Sequence, residues 1–75
     1  MKYDYSELRG EILKKYKSVG QFGKEVLNLG TTATSNKFRG YNNFTLGQIQ
    51  TMINALNIKP EEIGKYFFTE RVSKN

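Results

Sequence analysis

Between residues 5 and 60 of this 75-residue chain, no stretch alternates apolar and polar side chains. Apolar residues recur instead at spacings of three and four, and breakers cut the pattern into short segments. A period near 3.6 buries one face of a helix, whereas a half-buried strand needs a period of two. Leu8, Ile12 and Tyr16 mark the first face, with Tyr5 and Leu13 beside it. Asp4 or Ser6 can cap this helix, which is expected to end near Lys17. Ser18 is a good N-cap for a second helix, through about Leu27, with Phe22 and Val26 on one face. Asn28, Leu29 and Gly30 read as a turn, because asparagine and glycine tolerate positive φ. Gly30 or Thr31 then starts a third helix over about 31–39, closed by Gly40. Residues 41–44 form a loop, and Thr45 caps a fourth helix with Leu46, Ile49, Ile53 and Leu56 directed inward. Pro60 suits the first position of a fifth helix, whose dipole Glu61 and Glu62 complement. Ile63 and Phe67 lie one turn apart on it. Residues 69–75 are polar and read as a frayed tail or a short strand. The expected architecture is an all-α single domain over 1–75, five short helices around one core at about 5–68.

A chain of this length buries a modest core. It contains no cysteine, so helix packing or a second copy of the chain must supply its stability. No basic segment leads into an apolar one as in a signal peptide, and no apolar run reaches the roughly 20 residues that span a bilayer. Without such a signal, the sequon at Asn43 carries no meaning for glycosylation. A cytoplasmic location follows as the expectation, with no membrane partner.

Charge is distributed unevenly. Residues 12–60 hold seven cations (Lys14, Lys15, Lys17, Lys24, Lys37, Arg39 and Lys59) against one acid, Glu25, a net +6. The flanking segments are slightly acidic or balanced. A basic centre attracts polyanions, although it is also compatible with a solvated helical surface. The third helix sharpens the choice. Apart from Ala33 or Thr34 and then Phe38, it carries Thr31, Thr32, Ser35, Asn36, Lys37 and Arg39. Threonine, serine and asparagine are weak helix formers that compete with the backbone for hydrogen bonds. They are well suited, however, to approaching a major groove and reading base edges. Lys37 and Arg39 add phosphate contacts that release counterions. The competing reading is a polar surface helix whose threonines serve as caps. In the helix before it, Gly23 costs about 1 kcal/mol relative to alanine. Close packing of two helices is one reason to accept that cost. Ser18 and Gln21 sit at that helix's N-terminus, where free N–H groups can hold a phosphate, with Lys24 nearby.

The segments "SVGQFGKEVLNLGTTATSNKFRG" and "FTLGQIQTMINALNIKPEEIGKYFF" together resemble the lambda-repressor-like helix-turn-helix family, closest to small Cro-type and repressor-type proteins of Gram-positive bacteriophages. The likeness covers roughly residues 5–68. Its most specific parts are the Phe22-Gly23 pair, the turn "NLG", the helix ended by "RG" and the tail "LNIKPEEIGKYFF". The resemblance implies a five-helix fold that places its third helix in the major groove of an operator, commonly as a homodimer. Thr31, Thr32, Ser35 and Asn36 then match base-reading positions. Ser18 and Gln21 match the phosphate-contacting start of helix 2, and Arg39, Asn42 and Asn43 match a backbone-contacting segment. Departures are a glycine where the family usually has alanine (Gly23) and a helix 2–turn segment one residue longer than usual.

Histidine and cysteine are both absent, which removes Ser–His, Cys–His and Cys/His zinc chemistry. "SVGQFGKE" fails as a phosphate loop, since Ser18 and Glu25 stand at two of its defining positions. Glu7 and Glu11 form a helical pair better read as a solvated face. No enzyme, cofactor or small-molecule substrate is implied. The aromatic run Tyr66, Phe67, Phe68 serves the core, a homodimer contact or another protein. The reading is therefore a transcriptional regulator that binds duplex DNA. A protein-interaction module or antirepressor acting on a partner repressor is the alternative, and a general nucleic-acid binder a third.

Overall fold

The computed structural model describes residues 3–70. Its elements are helices α1 (Ser6–Leu13), α2 (Val19–Phe22), α3 (Thr31–Arg39), α4 (Leu46–Leu56) and α5 (Ile63–Phe67). α2 continues directly into a π-helical turn, Gly23–Leu27, and a 3-10 turn, Pro60–Glu62, leads into α5. The fold is all-α, as the periodicity requires. Among the described residues, β-type pairing is confined to one antiparallel bridge between Tyr3 and Glu70. The rest of the expected tail, 71–75, lies outside the described residues.

Local chemistry explains each boundary. The N-cap of α1 is Tyr5, which makes no side-chain cap bond, rather than Asp4 or Ser6. Asp4 Oδ1, one residue earlier, accepts from both the backbone N–H and the hydroxyl of Ser6, at 2.9 and 2.6 Å, and so satisfies the first N–H of the helix. The helix stops at Leu13 rather than near Lys17. Its last bonds tighten, with Lys14 N–H donating to Glu11 O and Lys15 N–H to Ile12 O. The chain then turns so that Tyr16 meets Phe22 edge-on at 5.0 Å. Leu13 is left outside, 54% exposed.

Ser18 caps α2 by accepting from Gln21 N–H at 3.0 Å. Asn28 ends the π turn in the left-handed region at φ 56°. Gly30, by contrast, is extended at φ −68° and acts as the N-cap of α3. Gly40 closes α3 at φ 89°, with Gly40 N–H donating to Lys37 O and Tyr41 N–H to Asn36 O, a Schellman arrangement. A second one closes α4 at Asn57, with Ile58 N–H reaching Ile53 O at 3.0 Å and the Ile58 side chain entering the core. α4 opens with a full capping box between Thr45 and Gln48.

The core holds Tyr5, Leu8, Ile12, Phe22, Phe38, Met52, Leu56, Ile58, Tyr66 and Phe67. Two expectations change here. Leu46 is 72% exposed, and Met52 takes the central place on α4. Leu46 sits in the first turn, where the capping box fixes the helix beyond the reach of the core. Tyr66 and Phe67 are both buried, so the dimer contact expected of Tyr66, Phe67 and Phe68 contracts to Phe68, which is half exposed. Tyr66 is buried because its hydroxyl reaches Glu11 Oε1 of α1 at 3.3 Å, which satisfies the polar tip.

Candidate functional site

α3 meets the core through Thr34 and Phe38 alone among its residues. Phe38 stands edge-on to Tyr5 at 5.8 Å and to Phe44 at 5.1 Å, which anchors the helix and the loop after it. Thr34 is fully buried, and its hydroxyl donates to Gly30 O at 2.9 Å. It packs against Gly23. A Cβ built on Gly23 would come within 2.7 Å of Thr34 Cγ2 and 2.8 Å of Thr34 Cβ. This glycine is therefore required by close approach of the two helices. Gly20 is a milder case, its hypothetical Cβ standing 3.2 Å from Thr31 Cγ2.

At about 100° per residue, Asn36 projects opposite the Thr34–Phe38 side, flanked by Thr32, Arg39 and Ala33. Thr32, Ala33 and Arg39 are exposed and Asn36 is half-buried. Thr31, Ser35 and Arg39 form a second stripe, four residues apart, along the edge of α3 nearer the core. All three line a cleft of about 270 Å³ shared with Val19 and Gly20 of α2 and Arg9 of α1. Nothing in the sequence singles out Arg9, since no spacing within α1 ties it to a helix more than twenty positions away.

The remaining candidates are placed less uniformly. Lys37 folds back onto the following loop. Its Nζ donates to Asn43 O at 2.8 Å and lies 6.0 Å from the Phe44 ring centroid. The ammonium thus orders loop 41–44 and keeps further N–H donors. Asn42 and Asn43 are exposed on that loop. Ser18 is exposed, but its oxygen is engaged as the α2 cap. Gln21 is exposed, and its side-chain amide donates to Glu25 one turn later. That carboxylate is the acid nearest in sequence to the α2 candidates. Lys24 is exposed on the π turn.

Phe68, the exposed remnant of the aromatic run, meets Tyr3 edge-on at 5.7 Å and lines a cleft shared with Asn43 and Phe44 of loop 41–44. Among the described residues, no three His, Cys, Asp or Glu side chains gather in a metal-binding arrangement, and no helix is long and apolar enough to cross a membrane.

What the arrangement can do chemically is limited and specific. α3 offers hydroxyl, amide and guanidinium groups on a slim rod held by a rigid apolar base. Such a rod can donate and accept hydrogen bonds at a polar, anionic surface, and it carries no nucleophile–base pair. No curated protein sequence matches the chain as a relative. Residues 1–70 match a family described as protein of unknown function (DUF739), and the chain belongs to that family.

Proposed function

We propose that the protein is a sequence-specific DNA-binding transcriptional regulator of the lambda-repressor-like helix-turn-helix type. In this reading α2, the turn after it and α3 form the DNA-binding unit, and α3 enters the major groove of an operator. One observation carries it. The face of α3 turned away from the core bears Thr32, Asn36 and Arg39, and none of α3's own residues is acidic. Side chains this short let a helix approach base edges closely, and asparagine can pair bidentately with adenine. Lys37 supports the reading from the side, by fixing the loop that carries Asn42 and Asn43. A homodimer on a pseudo-palindromic site is part of the proposal, as is a cytoplasmic location.

Selection of bound sequences from a randomised duplex pool, followed by titration over a salt series, tests it. The protein is expected to enrich one sequence and to bind it more tightly than unrelated duplexes. Thr32→Ala and Asn36→Ala should each reduce that discrimination by about 1–3 kcal/mol. Equal affinity for all duplexes would end the operator-reading claim.

The alternative, a modulator that binds a partner repressor, draws on Phe68, which is 50% exposed beside Tyr3. Capture of a repressor by a chain that ignores duplex DNA would favour it.

A further inference from the structure

We propose that Arg9 and Arg39 together form a clamp for one phosphodiester of a DNA backbone, seated in the cleft between α1, α2 and α3. The inference rests on the DNA-binding reading above and adds to it a contact from the first helix.

Two arginines from different helices line this one cleft, Arg9 from the middle of α1 and Arg39 from the last turn of α3. Neither has an ion-pair or hydrogen-bond partner for its side chain among the described residues. None of the residues lining the cleft is acidic. A cleft lined by two cations and no acid favours an anion, which pairs with both. Arginine also supplies the matching geometry, because its planar fork pairs with phosphate oxygens two bonds at a time. Thr31 and Ser35 line the same cleft and add hydroxyl donors along that edge of α3. Phe38, 3% exposed, contributes an apolar lining, which lowers the local dielectric and strengthens charge pairing. On the α2 side, Gly20 presents no side chain and Val19 adds a second apolar lining residue.

The cleft borders the outward face of α3. A phosphate held there would therefore belong to the strand flanking the groove that Thr32 and Asn36 enter. That continuity selects a duplex backbone over a free phosphate. It also gives Arg9 a definite role, that of setting the depth and register of α3, since phosphate contacts position a protein without reading sequence.

The test measures fluorescence anisotropy of the selected duplex and of an unrelated duplex, for the wild type and Arg9→Gln, between roughly 50 and 200 mM salt. Arg9→Gln is expected to weaken both duplexes by the same factor. The salt slope should fall by up to about 0.9, the value for complete loss of one phosphate contact, because Arg39 still faces the same phosphate; the wild-type advantage then shrinks by up to about 3.5-fold across that range. A second measurement uses the wild-type chain alone and does not depend on the variant folding. The Nε–H resonances of Arg9 and Arg39 should both shift as duplex is added. If the wild type binds duplex DNA while Arg9→Gln keeps its affinity and slope, or while the Arg9 resonance stays still, the clamp is wrong and the DNA reading stands. If the wild type binds no duplex, both fall together.

Discussion

Gly23 and Thr34 occupy the point where the second helix lies on the third, and the geometry there leaves no room for a methyl group. A Cβ on Gly23 would overlap the Thr34 side chain, with Cγ2 at 2.7 Å and Cβ at 2.8 Å, and Thr34 is itself fully buried. Gly23→Ala gains helix propensity of about 1 kcal/mol. Against that stands overpacking of about 1–3 kcal/mol, since a buried threonine bonded to Gly30 O cannot swing aside. The expected outcome is a lower thermal midpoint. Thr34→Ala alone should also destabilise, by loss of a buried methyl and a hydrogen bond. In the double variant the overlap with Thr34 Cγ2 is gone and only the 2.8 Å approach to the Cβ of residue 34 remains, so the loss should be smaller than the sum of the two single losses, by at least about 0.5 kcal/mol. Circular-dichroism melts of the four proteins decide it, and additive losses would show that the two residues do not share one contact. Part of this is legible in the sequence. A glycine inside a helical segment signals close approach, and the Thr34–Phe38 spacing marks the buried side of α3. The partner of Gly23 is not legible, because spacing along one helix does not specify which residue of the next lies opposite. Arg9 is hidden for the same reason. Met52 is hidden because four aliphatics at spacings of three and four present an equally good face until the core decides between them.

At the scale of elements, the turn Gly23–Leu27 is the feature least like an ordinary helix. Asn28 N–H closes on Gly23 O five residues back, and Leu29 N–H reaches the same oxygen at 3.0 Å. One extra residue is thereby absorbed as a widened turn, while Phe22 before it and α3 after it keep their faces toward the core. The sequence does not reveal this widening, since the helix and the following turn are equally able to hold one residue more. A deletion tests the account. Removing Glu25, which is exposed, should convert the π turn to an α turn and leave both flanks in register. The deleted protein is expected to fold with a thermal midpoint within a few degrees of wild type. Removing Thr51, exposed in the middle of α4, should behave quite differently. It rotates one half of that helix by about 100° and withdraws either Ile49 or Met52 and Leu56 from the core. If both deletions unfold the chain equally, the π turn is not an accommodated insertion.

Over the whole molecule, the first and last helices are tied by contacts that the sequence does not advertise. Asp4 N–H donates to Thr69 O at 2.7 Å, and the Tyr66 hydroxyl reaches Glu11, whose carboxylate also accepts from Lys14 Nζ at 3.2 Å. The hydrogen bond from Lys14, chiefly, holds the Glu11 carboxyl below its ordinary value of 4.5, with Lys14's charge and the Tyr66 hydroxyl adding to it against partial desolvation. Burial raises the Tyr66 phenol above its ordinary 10.0, and the Glu11 charge and hydrogen bond push it further in the same direction. The signs give two limbs. A carboxyl depressed in the folded state adds stability above its unfolded value, and that stability is lost as pH falls below about 4.5. A phenol raised in the folded state adds stability below 10.0, lost as pH rises beyond it. Thermal midpoints should therefore form a plateau through neutral pH and fall at both ends. Glu11→Gln should shallow the acid limb and, by removing the charge beside the phenol, make the alkaline limb gentler as well. Tyr66→Phe should soften the alkaline limb without abolishing it, because burial also raises Tyr5. Coupling between the limbs is what distinguishes a tie between α1 and α5 from two independent groups. An alkaline limb that is identical in wild type and Glu11→Gln would mean that the carboxylate and the phenol do not meet, and that α1 and α5 are joined without this hydrogen bond.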